Sequence, residues 1–197
     1  MTFDFTTYKD LLDNSESNSN YSTNTGNGMF GAYQFSMKTL QSLSLLYQLP
    51  YFTKDNIQDF LNNPVLQDRF LFALITDTLN YIGNNNLTRF IGQTITGRGN
   101  GITAQVDIYG LVAAAHLGGA GAIKDYFVNN IDSSDNTNKK TGGTYVSDYI
   151  AKFSSYLIGS KKKSINSGNS GSNSGLNTFE TTLTKGLDLI PDYIKKK

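Results

Sequence analysis

Glu16-Ser17-Asn18-Ser19-Asn20-Tyr21-Ser22-Thr23-Asn24-Thr25-Gly26-Asn27-Gly28-Met29-Phe30-Gly31-Ala32-Tyr33-Gln34-Phe35 puts one carboxylate at the head of a long uncharged run and closes it with aromatics and an amide. Gly26, Gly28 and Gly31 add backbone entropy that folding must overcome, and nothing apolar lies between Tyr21 and Met29 to offset it. A loop of this composition is either disordered or held for a purpose. Its Asn and Thr side chains donate and accept hydrogen bonds, which suits a neutral, hydroxyl-rich ligand such as a sugar better than a phosphate. Glu16 carries the run's charge, so any acid–base role falls on it.

Outward from this stretch, the apolar pattern is helical. Tyr8, Leu11 and Leu12 predict a short helix over 7–13 that delivers Glu16 at or just past its C-terminal end. The negative end of the helix dipole would raise the pKa of a carboxylate there, the direction a general acid needs. After the loop, Phe35, Met37, Leu40, Leu43 and Leu46 form a helical stripe, and Thr53 reads as the cap of a short helix carrying Ile57, Phe60 and Leu61. Asn63-Pro64 is a helix start, with a side-chain cap followed by proline at the first helical position. The helix it opens runs to about Gly83, with Leu66, Phe70, Ala73, Leu74, Asp77 and Tyr81 on one face.

Further along, Leu87 to Ile91 predicts a brief helical turn, and Gln93 to Thr96 is the single weak strand candidate. Thr103 reads as the cap of a helix through Val106, Tyr109, Val112, Ala113 and Leu117, whose half from Gly110 to Ala115 is small and apolar enough to be fully buried. Gly118 to Gly121 turns into a helix through Phe127, and the segment from Tyr145 to Leu157 keeps helical spacing at Val146, Tyr149, Ile150 and Phe153. The expectation is a mainly α domain of about seven helices over 1–159. A Gly/Ser/Asn linker over 160–177 and an amphipathic helix over 178–197 follow it.

Composition narrows the chemistry. Over 197 residues the net charge is +1, so no global field points to nucleic acid or to acidic substrates. The absence of cysteine excludes disulfides and thiol catalysis, and one histidine leaves too few ligands for a metal site. The start, Met1-Thr2-Phe3-Asp4-Phe5-Thr6, has no signal-peptide pattern, and no run of eighteen apolar residues would span a membrane. No cofactor is expected. The glycines at Gly118, Gly119 and Gly121 follow no strand and precede no Gly-Lys-Ser/Thr, which argues against a phosphate cradle.

Glu16-Ser17, then Asn24-Thr25-Gly26-Asn27-Gly28 and Gly31-Ala32-Tyr33-Gln34-Phe35, resembles the catalytic stretch of the lysozyme-like superfamily of peptidoglycan-cleaving enzymes. The nearest pattern is that of resuscitation-promoting factors and lytic transglycosylases, E-S-G-G-N-W…N-T-G-N-G-Y-x-G-G-x-Q-F. Downstream, Ala115-His116-Leu117-Gly118-Gly119-Ala120-Gly121 is similar to the A-Y-N-x-G-x-G turn of the transglycosylases. It is closer still to the A-A-H-L-G-G-x-G of lysozyme-like proteins from phage tails and lysis modules. Those proteins also tend to close with a segment like Gly143 to Tyr149. The resemblance covers about residues 5 to 158.

It implies a goose-type or lytic-transglycosylase-like helical domain that cuts peptidoglycan between N-acetylmuramic acid and N-acetylglucosamine, virion- or lysis-associated and acting at the bacterial cell wall. Glu16 would protonate the glycosidic oxygen. Gln34 and the backbone around Gly31 would bind sugar hydroxyls or acetamides, Tyr21 would stack on a sugar face, and Asn24, Thr25 and His116 would complete the substrate contacts. The sequence departs from the pattern at Asn18 and Ser19, where the family has paired glycines, and at His116, where the transglycosylases have Tyr.

A lone His on an Ala-rich helix is ordinarily a hydrogen-bonded core residue; in the functional version it sits beside Glu16 and tunes it. Glycosidases commonly pair two acids, and Asp13, Asp77 and Asp107 are candidates that no spacing separates. Transglycosylases need no second acid, because the muramyl 6-hydroxyl acts as nucleophile and leaves a 1,6-anhydro product. The alternative reading is a structural or glycan-binding tail or secretion component that kept the fold and lost activity. The last helix, apolar on one face, packs on the domain or docks a protein partner.

Overall fold

The computed structural model describes residues 3–16, 20–133 and 144–154, except for the side chains of 13–16; the expected linker and C-terminal helix lie outside the described residues. The chain is mainly helical, in the order α1 (Phe5–Glu16), β1 (Met29–Phe30), β2 (Phe35–Ser36), α2 (Met37–Tyr47), α3 (Ile57–Leu61), α4 (Pro64–Asn84), a 3-10 turn (Leu87–Phe90), β3 (Thr94–Thr96), β4 (Thr103–Gln105), α5 (Ile108–Gly118), α6 (Ala120–Asn129) and α7, described over 146–154. These elements form two compact units that divide between Thr76 and Asp77, within α4.

In the N-terminal unit, α1 starts earlier than its apolar pattern predicts because Asp4 caps it. The Asp4 carboxylate accepts from Thr6 N at 3.0 Å and from Thr7 Oγ1 at 2.7 Å. Tyr8, Leu11 and Leu12 are buried, and Glu16 is the last residue of the helix. Strands β1 and β2 pair antiparallel with Met29 opposite Ser36 and Phe30 opposite Phe35. Ser36 then caps α2, accepting from Thr39 N. Asn63 caps α4 as its sequence predicts, with Oδ1 accepting from Leu66 N at 3.0 Å. Thr53 is not the residue that caps α3. Its own N–H donates to Asn56 Oδ1, and Asn56 stands at the cap position, because a turn separates Thr53 from the helix. Phe35, Phe52, Phe60 and Phe70 form the core, their ring centroids 5.3–6.3 Å apart, mostly edge to face. Such pairs add about 0.5–1.5 kcal/mol each beyond area burial.

The C-terminal unit is built on α5, in which every residue from Ile108 to Ala115 is buried. Its cap is Asp107, whose Oδ1 accepts from Gly110 N at 2.9 Å. Thr103 lies instead in β4, paired opposite Thr96, since the chain stays extended until Asp107 turns it. Gly110 lets α7 approach: a Cβ there would stand 2.1 Å from Ser154 Oγ and 2.6 Å from the Ile150 carbonyl oxygen. The loop over 97–101 is fastened to the start of α7 by Asp148, which accepts from Gly99 N, Asn100 N and Tyr145 N at 2.8–2.9 Å. Among the described residues, no helix is long and apolar enough to cross a membrane.

Candidate functional site

The loop that follows α1 is a folded object. Gly31 N donates to Thr23 O at 2.8 Å and Thr25 N to Met29 O at 3.2 Å, while Asn24 and Phe30 form an isolated antiparallel bridge. At the tip, Asn24 Oδ1 accepts from Gly26 N at 3.2 Å, and Thr25 Oγ1 bonds to Asn27 Oδ1 and to Met29 O. Asn24 and Thr25 are exposed. Part of the hydrogen-bonding capacity of this Asn/Thr run is used by the loop to hold itself.

The return from β1 to β2 is a tight turn over Gly31, Ala32, Tyr33 and Gln34. Gln34 sits in the left-handed region at φ 53°, which costs a non-glycine residue energy and is found where the surroundings over-determine the backbone. Its Nε2 donates to Gly31 O at 3.2 Å; its Oε1 makes no hydrogen bond among the described residues, and the side chain is half-buried. Gly31 has φ 73°, and a Cβ there would lie 2.2 Å from Gln67 Oε1.

Two residues of α4, missed from the sequence, hold this region in place. Gln67 is fully buried. It accepts from Ala32 N at 2.9 Å and donates to Tyr21 O at 2.9 Å and Phe60 O at 3.0 Å, so one amide ties both ends of the loop to the helix. Asp68 follows it and accepts from Lys9 Nζ at 2.7 Å, Tyr33 OH at 2.5 Å and Tyr21 OH at 3.2 Å. The Tyr21 and Tyr33 hydroxyls are 3.2 Å apart and their rings meet edge to face. Partial burial alone would lower the Lys9 pKa, but its hydrogen bonds to Asp68 and Tyr21, with their charges, outweigh that and hold it above the ordinary 10.5. A polar pair on the core side of an apolar helix was the available signal, since a buried amide implies a bonded network.

Glu16, Tyr21, Asn24, Thr25, Gly31 and Gln34 all belong to the N-terminal unit, and His116 to the C-terminal unit. The Glu16 side chain lies outside the described residues.

No family model, curated protein or solved structure matches the chain.

His116 lies in the last turn of α5 and is half-buried rather than sealed in the core. Among the second-acid candidates, Asp107 is occupied as a helix cap; burial raises its pKa, opposed by hydrogen bonds from Gly110, Ser154 and Tyr109. Asp77, half-buried along α4, is also raised by desolvation. The Asp13 side chain lies outside the described residues. No cluster of His, Asp or Glu suited to a metal ion occurs among the described residues.

Proposed function

We propose that this chain cleaves the glycan strands of peptidoglycan between N-acetylmuramic acid and N-acetylglucosamine, as a lytic transglycosylase or muramidase of lysozyme-like fold, with Glu16 as general acid. One observation carries the reading: α1 ends at Glu16, directly ahead of a hydrogen-bonded Asn/Thr/Gly loop that returns through a turn bearing Gln34 with an open amide oxygen. Protonation of a glycosidic oxygen requires a fixed acid, since the sugar is uncharged, and neutral donors and acceptors suit its hydroxyls. Glu16 donates that proton to the leaving oxygen. Gln34, Asn24, Thr25 and the backbone near Gly31 hold sugar hydroxyls and acetamides, with Tyr21 against a sugar face; His116 is the further substrate contact that the resemblance implies. Delivery by a virion or a lysis programme, at the cell wall, fits the reading.

The test is digestion of purified peptidoglycan with wild type and Glu16→Gln, with the muropeptides resolved by mass. Wild type is expected to release fragments and Glu16→Gln to do so about 100-fold more slowly or worse, the scale of a lost general acid. Anhydro-muramyl ends identify the transglycosylase, and reducing ends the hydrolase. Release at equal rates by both proteins removes Glu16 from the chemistry, and release by neither, with glycan binding intact, leaves a binding protein.

A further inference from the structure

Asp68 is the point at which four parts of the N-terminal unit meet: Lys9 from α1, Tyr21 from the start of the loop, Tyr33 from the turn after β1, and α4 itself. Its side chain is 33% exposed and that of Lys9 24%, so the cluster lies at the unit's surface while Tyr33 beneath it is wholly buried. Lys9 and position 16 are seven residues apart on α1, which puts them on one helix face about 10 Å apart along the axis. The carboxylate that fixes the Tyr21 ring therefore also ties α1 to α4 at Lys9, about 10 Å short of position 16. A carboxylate accepting from one ammonium and two phenols is held in a single orientation, and charge-assisted bonds of this kind are about twice as strong as neutral ones.

We propose that Asp68 is a positioning residue for a saccharide-binding face: it holds Tyr21 edge-on to Tyr33 so that the half-exposed phenol ring is rigid before a sugar arrives. The inference rests on the saccharide reading given above but not on cleavage. A ring fixed in advance loses less freedom on binding, so Asp68 acts on affinity and leaves the acid untouched.

The experiment is calorimetric titration of the N-acetylglucosamine tetramer into the full chain carrying Glu16→Gln, alone and combined with Asp68→Asn, Asp68→Glu or Tyr21→Phe, each checked by thermal melting. Asp68→Asn, which keeps the size but not the charge, is expected to bind roughly tenfold more weakly, the equivalent of about 1.4 kcal/mol. Tyr21→Phe, which keeps the ring and removes the hydroxyl from the cluster, is expected to weaken binding in the same direction while melting as the parent does. Asp68→Glu is expected to recover part of the loss. In the active protein Asp68→Asn should raise KM and leave kcat within about twofold, since it removes binding shared by ground and transition states. Equal affinity of Asp68→Asn and Tyr21→Phe with their parent overturns the proposal, as does no binding by any protein. Loss of binding in these variants from a wild type that does not cleave peptidoglycan supports the positioning role and refutes the enzymatic reading alone.

Discussion

Gln67 shows how much of this loop depends on one side chain. Its amide is fully buried and satisfies Ala32 N, Tyr21 O and Phe60 O together. Replacement by Leu would keep an apolar volume in place but leave those backbone groups without their partner. Each buried group left unsatisfied costs about 1–3 kcal/mol, so Gln67→Leu is expected to lose at least about 2 kcal/mol in urea denaturation. Hydrogen exchange at Ala32 should accelerate more than at Leu12. Sequence reading picks out the loop but not Gln67 or Asp68, for a physical reason. The bond from Ala32 N spans 35 residues and that from Tyr21 OH spans 47. Local periodicity carries no information about a partner that far away, whereas the Asn24–Gly26 turn is local and legible in its composition.

At the level of elements, helices were legible where a cap and a stripe agreed. Asn63-Pro64 opens α4, and the small apolar run from Gly110 to Ala115 is buried in α5. The strands were not legible, because two- and three-residue strands are too short to show alternation, and only β3 fell on a run that looked extended. The cap of α5 was misplaced for a related reason: Thr103 and Asp107 are both good capping residues, and β4 decides between them.

Asp107 also gives the clearest pH dependence. Burial raises its pKa in the folded protein above the ordinary 3.8, so the native state binds more protons than the unfolded chain between those values. Its ionisation therefore opposes folding above the folded pKa, and this penalty fades as pH falls to the ordinary value. Asp107→Asn keeps an acceptor for Gly110 N and is expected to be at least as stable as wild type at pH 7, with the difference closing in acid. Asp107→Ala loses the cap, worth about 1 kcal/mol, and since it also removes the titrating group its deficit against wild type is expected to be larger in acid than at pH 7. Thermal melts across pH 3–8 (roughly the carboxylate range) would separate the two.

Over the whole molecule, the element to test is α4, because its residues up to Thr76 belong to one unit and those from Asp77 to the other. Buried Phe70, Leu71, Ala73 and Ile75 serve the first, and Thr78 and Ile82 the second. A proline in mid-helix removes a hydrogen bond and clashes with the preceding turn, at about 3 kcal/mol or more. Asp77→Pro is expected to lower protection from hydrogen exchange in both units, at Leu12 and at Val112, whereas Asp77→Asn should leave both intact. Loss at Val112 alone would mean that the N-terminal unit does not depend on the far half of its own helix. The mainly helical class was readable from the chain as a whole. The division within α4 was not, since the helical pattern runs unbroken through it.

The tip of the loop has a practical use. Gly26 and Gly28 have no neighbouring atom within 4 Å of where a side chain would begin, and Asn27 between them is exposed, whereas Gly31 a few residues on has no room at all. The chain contains no cysteine. A thiol introduced by Asn27→Cys would therefore be the one reactive sulfhydryl in the molecule, at the tip of the loop proposed to meet the saccharide. A dye attached there would report the arrival of a ligand, with the bond from Thr25 Oγ1 to the Asn27 side chain as the contact given up.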